Sequence, residues 1–335
     1  MATLISADLH FTDNPRDEHR WNLIPWIAAQ VSKYSVDEVL LLGDITDAKD
    51  RHSSRLVNRL VIELYKLASA CSLYILAGNH DSLDPTCPFF GFMHLLPSVT
   101  FITTPSSIEL GLGECLFLPS THDWRTDWKG IDFNDYDYVF THATFDGCTS
   151  ESGIVLNGGI PPSVFKDFKG KVVSGDIHMP QKMGKNIEYV GAPYRVRFGD
   201  IFTPRVLLLD HDKHRDLHFP TIKKHVVTIQ GGEPLTKQFD ALAVQPSDMV
   251  KLRVRLTRAQ YPDWPKLRQA YQNECREMGI DLYGPELLKV TETARTNSEP
   301  VCVSVADALD GYIKRKKLSQ SSAQFGRTVL KEVNQ

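Results

Sequence analysis

The hydrophobic pattern of residues 1–210 alternates short apolar runs with amphipathic stretches. Continuous apolar runs are typical of strands buried on both faces, and apolar residues that recur every three or four positions are typical of helices. We expect helices over 21–34 and 53–68. We expect strands at 3–7, 38–42, 72–77, 115–118, 138–141, 171–174, 187–190 and 205–209. This order predicts an α/β fold with functional residues in loops after the carboxyl ends of strands.

The pattern changes near residue 231 and predicts a separate small domain. Residues 249–256 alternate strictly between apolar and polar, which is typical of a strand with one buried face. A helix over 264–278 follows, and a strand over 287–291 returns. We therefore expect residues 1–230 to form one domain, 231–300 to form a small β-α-β domain, and 301–335 to supply two C-terminal helices.

Composition excludes several classes of protein. The chain has 335 residues, 42% of them apolar, which is enough for a sizeable core. With 38 basic and 41 acidic residues, it does not hold nucleic acid by net charge alone. The 6 cysteines are scattered without a CxxC pair, which argues against a disulfide framework or a zinc–thiolate site. No apolar run is long enough to span a membrane and no signal-peptide pattern opens the chain, so we expect a cytoplasmic protein.

Asp, His and Asn are concentrated in five short segments, each just after a predicted strand. One such residue alone is usually a cap or a turn former, but five segments in series favour a metal site. The segments are Asp8-Leu9-His10, Gly43-Asp44-Ile45-Thr46-Asp47, Gly78-Asn79-His80-Asp81, Thr141-His142 and Gly175-Asp176-Ile177-His178. Oxygen and imidazole donors without thiolate suit Mn²⁺, Mg²⁺ or Fe²⁺, and Zn²⁺ is also compatible.

In their order, these segments resemble the signature of calcineurin-like metallophosphoesterases. Within that superfamily the chain is similar to nuclease subunits of the Mre11/SbcD type, because Tyr189-Val190-Gly191-Ala192-Pro193 and Phe198-Gly199-Asp200 match a stretch of those proteins. The small domain and the helical tail also resemble theirs. The resemblance implies a four-layer β-sandwich flanked by helices, with a capping domain. It also implies a dimetal DNA nuclease with 3′–5′ exonuclease and single-strand endonuclease activity, acting in DNA end processing.

The resemblance also implies a role for each motif residue. One ion would be held by Asp8, His10 and His178, a second by Asn79, His142 and Asp176, and both by Asp44. Two such ions about 3.5–4 Å apart can hold a phosphodiester and lower the pKa of a water between them. His80 would donate a proton to the leaving oxygen, and Asp81 would orient His80. Asp47 would have a structural role beside the metal ligands rather than bind a metal ion directly.

Asp176 departs from the family pattern, because most members have histidine there. A carboxylate adds negative charge and a harder donor, so we expect Mn²⁺, or else Mg²⁺, to be preferred. The alternative is that Asp176 points away and the second ion binds weakly. With aspartate at this position, the chain resembles phage-encoded relatives. In that case the protein would act in the host cytoplasm.

Candidate DNA contacts and partners are less specific. Basic residues that could follow a phosphate backbone are Lys251, Arg253, Arg255, Arg258, Arg195 and Arg197. An equally good interpretation of the alternating ones is the solvent face of a strand. His122 could reach the site or simply belong to a turn. The resemblance implies docking of the C-terminal helices on an SbcC/Rad50-like ABC ATPase, and homodimerisation through phosphoesterase helices. The apolar stripe over 56–67 could serve that dimer or the core.

Two other functions compete with the nuclease. The same fold could act on phosphoproteins or small phosphodiesters, or it could be a non-catalytic scaffold that binds proteins. The scaffold would be expected to lose several ligand residues, and here only Asp176 is unusual. The capping domain and the tail favour the nuclease over other phosphoesterases.

Overall fold

The computed structural model describes residues 2–84, 86–210, 213–289 and 319–333, together with the single residues 309, 313 and 316. The chain divides into two units, Met1–Leu288 and Lys289–Gln335. The strands are β1 (Ala2–Ser6), β2 (Val36–Leu42), β3 (Ser72–Leu76), β4 (Val99–Ile102), β5 (Ser106–Leu110), β6 (Gly113–Leu118), β7 (Tyr138–His142), β8 (Lys171–Gly175), β9 (Gln181–Met183), β10 (Ile187–Tyr189), β11 (Val206–Asp210), β12 (Lys213–Leu217), β13 (Lys224–Gln230), β14 (Met249–Leu256) and β15 (Asp281–Lys289). The α-helices are α1 (Leu23–Tyr34), α2 (Ser54–Ala68), α3 (Trp124–Asp127), α4 (Thr236–Ala241), α5 (Trp264–Glu277) and α6 (Gln320–Val333). Short 3₁₀ helices cover Pro15–Asn22, Phe89–Leu95, Phe133–Asp135, Pro162–Phe165 and Arg258–Asp263.

Two six-stranded sheets carry the larger unit. The first has the order β12-β11-β1-β2-β3-β4, and the second has the order β5-β6-β7-β8-β10-β9. Strands β1 to β4 run parallel in the first sheet, as do β6, β7, β8 and β10 in the second. Parallel strands bring their carboxyl ends to one edge, so the loops that follow them are neighbours in space.

The two sheets pack face to face, and this explains the apolar runs without alternation. In β2, Val39 and Leu41 face the helices while Leu40 and Leu42 face the second sheet. The second sheet contributes Phe117, among others, to the same core layer. A strand that is buried on both faces has no polar side, so its sequence reads as a continuous apolar segment. The predicted α/β fold is confirmed.

The outer faces of the two sheets are covered differently. Helices α1 and α2 pack on the first sheet, and the apolar stripe of α2 lies in that core: Leu56, Leu60, Leu64 and Leu67 are buried. The stripe is therefore core and not a free dimer surface. The second sheet is covered by short helices and loops around Trp128, Phe145, Phe165 and Phe168. The predicted fourth layer therefore consists of turns and aromatic side chains instead of long helices.

A three-stranded sheet follows, with the order β13-β14-β15. Strands β13 and β14 pair in parallel, so the small sheet begins at Lys224, upstream of the predicted start at 231. The sequence pattern does not predict β13, because its polar residues hide the alternation. Helix α5 packs on this sheet through Tyr271 and Cys275. The assignment of 231–300 as a capping domain stays a prediction.

The second unit is described mainly by α6. The Ser319 hydroxyl accepts a hydrogen bond from the Ser322 amide, which caps the helix. Phe325 is 72% exposed. The other predicted tail helix, over 304–313, lies almost wholly outside the described residues. Within the part of the chain that the structure describes, no helix has both the length and the apolar character to cross a membrane.

Replacing Leu60 with alanine should lower the free energy of unfolding by about 2–5 kcal/mol, because Leu60 is fully buried between α2 and the first sheet. Urea denaturation of the metal-free protein measures the change. Ile62→Ala is the matched control on the same helix, since Ile62 is 52% exposed and should change stability by no more than about 0.5 kcal/mol. Equal losses in both variants would contradict the assigned orientation of α2.

Candidate metal centre

Loops that follow five parallel strands form the site. Strands β1, β2 and β3 supply the first three motif segments, and β7 and β8 supply the last two. Asp8, His10, Asp44 and Asp176 all have positive φ, at 56°, 44°, 55° and 80°. L-residues adopt this left-handed conformation at a cost of about 1–3 kcal/mol each, and such strain concentrates at functional sites. The left-handed backbone at these four residues sets the directions in which their side chains leave the loops.

Asp81 joins two of these loops and has a different role from the one predicted. Its buried carboxylate accepts hydrogen bonds from the backbone N–H groups of Gly78 at 2.7 Å, Asp44 at 2.9 Å and Ile45 at 2.9 Å. All the contacts that the structure gives its carboxylate are to backbone, so the prediction that Asp81 orients His80 is wrong. It fixes the loop that carries Asp44 against the loop that carries Asn79.

Asp8, His10 and His178 form one buried group, as the resemblance implied. Their ligand atoms lie within 4.8 Å of one another. The Nε2 atoms of His10 and His178 face each other at 3.0 Å. Oδ2 of Asp8 is buried and has no hydrogen-bond partner in the structure. Two imidazole nitrogens and a bare carboxylate oxygen that point at one space suit a divalent cation.

Asp44 lies between the two groups of ligands. Its Oδ2 is 3.7 Å from Nε2 of His10, and its Oδ1 is 3.3 Å from Nε2 of His142. Nδ1 of His142 lies 2.7 Å from the Leu42 carbonyl, which accepts its proton and leaves Nε2 as the free donor atom. A carboxylate whose two oxygens face different histidines is suited to bridge two ions.

Asp176 points into the site. Its Oδ1 accepts a hydrogen bond from the Asn79 amide at 3.1 Å and lies 3.8 Å from Nε2 of His142. Thr144 donates its hydroxyl proton to the other oxygen. The alternative in which Asp176 turns away is therefore not what the structure shows. Thr144 was missed by sequence analysis, because nothing but its position two residues after His142 marked it.

His80 and Asp47 flank the metal ligands. Nδ1 of His80 lies 3.4 Å from the Asp47 carbonyl oxygen and 3.7 Å from its carboxylate. The same carboxylate is 3.3 Å from Nδ1 of His10. Asp47 therefore contacts both rings, including the His80 ring that Asp81 was predicted to orient. His80 is half-buried and lies outside the two buried groups, and its ligand atom forms a third, more exposed group with those of His10 and Asp47, all within 4.8 Å of one another.

Burial and mutual charge shift the titration of the ligands. Burial, opposed by His142 and reinforced by the Asp44 charge, raises the pKa of Asp8 to about 7. Burial alone would also raise the pKa of Asp44, but His142 and His10 hold it below its ordinary value. Burial, together with the charge on His10, lowers the pKa of His178 to about 3. His178 is therefore neutral, which is the form that binds metal.

These residues fit a pair of divalent cations. Asp8, His10 and His178 would hold one, Asn79, His142 and Asp176 would surround the other, and Asp44 would be shared. The donors are oxygen and imidazole nitrogen, and neighbouring protein groups already fix the orientation of Asp176 and of His142. This donor set is compatible with Mn²⁺, Mg²⁺ and Fe²⁺.

The family model for calcineurin-like phosphoesterases matches residues 1–180, which include every ligand named above. The chain belongs to this family. It is similar to "Putative phosphoesterase 244L" of Invertebrate iridescent virus 6, with 23% identity over 241 residues, 65% of this chain and 81% of the relative. It is also similar to the SbcD component of the SbcCD nuclease of Escherichia coli K12, with 29% identity over 89 residues, 25% of this chain and only 22% of that one. A purple acid phosphatase from yellow lupin overlaps with a TM-score of 0.38 and 11% identity, over 62% of this chain and 49% of the other.

As a member of the family, the protein is a metal-dependent phosphoester hydrolase with a dimetal centre. A cavity of about 620 Å³ opens beside the candidate metal ligands of this phosphoesterase. Its wall includes Asn79, His80, His142 and Asp176, and also His122, for which the sequence leaves a turn and the site as alternatives. A phosphoester could therefore reach His80 and the ligands of the second ion from solvent.

The predicted DNA contacts are only partly free. Lys251 and Arg253 both pair with Glu286, at 2.8 Å and 3.5 Å. Arg197 lies 3.6 Å from Glu151. The structure also places the Arg195 side chain 3.4 Å from a backbone carbonyl. Two further residues, Arg255 and Arg258, are exposed on the small sheet and the turn after it. The basic face of β14 is therefore weaker than its sequence indicates, because β15 brings a carboxylate beside it.

Gly43→Ala should weaken Mn²⁺ binding by about 10–100-fold, the range expected when the support of a metal ligand is disturbed. A Cβ at Gly43 would lie 2.2 Å from Nδ1 of His142 and would displace that ring. Isothermal titration calorimetry measures the affinity. Gly130→Ala is the matched control, since Gly130 has nearly the same φ, +82° against +85°, and a Cβ there would have no other atom within 4 Å. Equal affinities in the two variants would contradict the role of this close approach.

Proposed function

We propose that this phosphoesterase is a DNA nuclease of the Mre11/SbcD type, with 3′–5′ exonuclease and single-strand endonuclease activity in DNA end processing. The observation that carries the proposal is the site itself: the two buried ligand groups adjoin at Asp8, the carboxylate oxygens of Asp44 face His10 and His142, and His80 lines an open cavity beside them. The similarity to a component of the SbcCD nuclease and the three-stranded sheet after the phosphoesterase sheets support a nuclease over other members of the family.

The chemistry follows from the positions of the side chains. When bound, two divalent cations supply positive charge to a phosphodiester and lower the pKa of a water molecule. His80 faces the same cavity and can donate a proton to the departing oxygen. The Asp47 carbonyl and carboxylate oxygens lie 3.4 Å and 3.7 Å from Nδ1 of His80 and hold this ring in place. Manganese is our choice of ion, because Asp176 replaces a softer histidine donor with a carboxylate.

The tyrosines of the 189–200 stretch support the same proposal through their contacts. The Tyr189 hydroxyl donates to the Ala143 carbonyl at 2.9 Å and accepts from the Phe145 amide at 2.7 Å. The Tyr194 hydroxyl donates to the Leu9 carbonyl. These residues therefore hold the loops that carry His142 and His10. The stretch that resembles the nucleases is part of the support of the metal centre.

A second candidate is a phosphoesterase that acts on other substrates, such as phosphoproteins or small phosphodiesters. It is favoured by the longer similarity to the viral phosphoesterase, which spans 65% of this chain against 25% for the nuclease component. The two candidates share the same metal chemistry and differ in what the rest of the substrate contacts. Substrate comparison therefore separates them.

His80→Ala should lower kcat for linear DNA by about 10²–10⁴-fold while bound Mn²⁺ stays unchanged, because His80 protonates the leaving oxygen without holding metal. The loss should be much smaller with bis-p-nitrophenyl phosphate, whose leaving group needs little protonation. Gel assays, absorbance assays and metal analysis measure the three quantities. His94→Ala, at an exposed histidine on the Phe89–Leu95 helix, is the control.

The wild-type protein decides between the two candidates in the same assays. Degradation of linear DNA with Mn²⁺ supports the nuclease. Hydrolysis of p-nitrophenyl phosphate or bis-p-nitrophenyl phosphate without any cleavage of DNA would replace it with the second candidate. Equal losses of His80→Ala on DNA and on the nitrophenyl ester would remove the assigned proton donation.

We extend the proposal to assembly: a homodimer bound through its C-terminal helices to an SbcC/Rad50-like ABC ATPase. The support is α6, which leaves the large apolar side chain of Phe325 exposed. An exposed aromatic residue on an amphipathic helix is suited to pack into a groove between partner helices.

Phe325→Ser should weaken binding of the co-expressed ATPase by at least about tenfold, because an aromatic anchor commonly contributes more than about 1 kcal/mol to an interface. Biolayer interferometry with the full-length chain measures the affinity. Gln324→Ser, at the neighbouring exposed position, is the control. Unchanged binding of the Phe325 variant would argue against docking through α6.

A further inference from the structure

The cavity beside the metal centre is larger than a phosphate group requires, and part of its wall lies away from the ligands. Its volume of about 620 Å³ is within the range of pockets that hold whole small molecules. That further wall includes Lys49, Thr121, His122, Trp124 and Arg125. The cavity therefore offers contacts to whatever group is esterified to the scissile phosphate.

The loop that carries Trp124 is fixed relative to the metal centre. Its Ser120 amide donates to the carbonyl of Ala77, immediately before the loop of Asn79, at 2.9 Å. Asp123 caps helix α3 by accepting from the Arg125 amide at 3.2 Å. Loop and helix are thus held in place before any substrate arrives.

Trp124 itself rests on a buried aromatic cluster. Its ring lies 6.2 Å from that of Trp128, which is only 5% exposed. Trp128 in turn contacts Phe133 and Phe165. Trp124 remains partly exposed at the cavity, so a rigid ring is offered to a ligand at little cost in conformational entropy.

The charges at this wall suit an anionic ligand with a flat group. The Arg125 guanidinium carbon lies 4.8 Å from the centre of the Trp124 ring, and Lys49 also lines the cavity. The carboxylates of this loop, Asp123 and Asp127, do not line the cavity and accept hydrogen bonds from the Thr126 and Thr121 hydroxyls. A guanidinium plane on an indole ring is a surface on which nucleic-acid bases stack. The cationic side chains of Arg125 and Lys49 can approach a phosphate.

We propose that Trp124 and Arg125 form a nucleoside-binding subsite, which takes the base of a nucleotide esterified to the scissile phosphate. This inference deepens the proposed function and rests on it for the phosphodiester. It assigns recognition to stacking and charge, which do not depend on base identity. The phosphoesterase would therefore distinguish nucleotide esters from simple alkyl esters without reading sequence.

Small esters that share one leaving group test the subsite. The 5′- and 3′-(p-nitrophenyl phosphates) of thymidine are compared with methyl p-nitrophenyl phosphate, in the full chain with Mn²⁺. In the wild type, at least one thymidine ester should have a kcat/KM about tenfold above that of the methyl ester, the scale of one base–aromatic contact. Trp124→Ala should abolish most of this ratio, through KM. Trp124→Phe should retain much of it.

Arg125→Gln should lower the same ratio by several-fold, and Arg215→Gln, at an exposed arginine on β12, is its matched control. The absence of any preference in the wild type would overturn the subsite. So would a preference that survives both Trp124→Ala and Arg125→Gln, because the nucleoside would then bind elsewhere. Linear DNA is assayed in parallel: a wild type that prefers thymidine esters but leaves DNA intact keeps the subsite and removes the nuclease.

Discussion

The carboxylate of Asp81 is the contact on which the metal centre depends. It is fully buried and accepts three backbone hydrogen bonds, from Gly78, Asp44 and Ile45. A buried carboxylate is stable only when such partners compensate for its lost hydration. These bonds join the ends of β2 and β3, so that Asp44 stands where the two groups of ligands meet. The chemistry of the site begins with this unreactive group.

The residues that form the metal centre also destabilise the folded chain. Asp8, Asp44 and Asp176 stand close together on backbone with positive φ, and two imidazole nitrogens face each other at 3.0 Å. Like charges and left-handed residues destabilise a fold unless something offsets them. Two packed sheets hold the loops rigidly, and divalent cations would neutralise the carboxylates. The arrangement is consistent with a site that binding metal stabilises.

Substrate choice is a separate matter from metal chemistry in this fold. The candidate ligands follow strands β1, β2, β3, β7 and β8, while Trp124 and Arg125 lie on helix α3 after β6, which contributes no candidate ligand. Function in such folds is set by the walls around a common centre. The basic face of β14 is less available to a substrate than its sequence indicates, since Glu286 pairs with two of its residues, Lys251 and Arg253.

The sequence by itself determined the α/β fold, most strands and the residues that meet at the candidate metal centre, because apolar runs and strand-end motifs are local signals. The sequence did not predict strand β13, since the polar residues of this strand give no clear alternation. Only the tertiary structure decided that Asp81 binds backbone, that Asp47 contacts His80, and that Asp176 turns inward. Those outcomes depend on which loop lies beside which. The order of residues along one chain does not record the distance between loops that lie far apart in it.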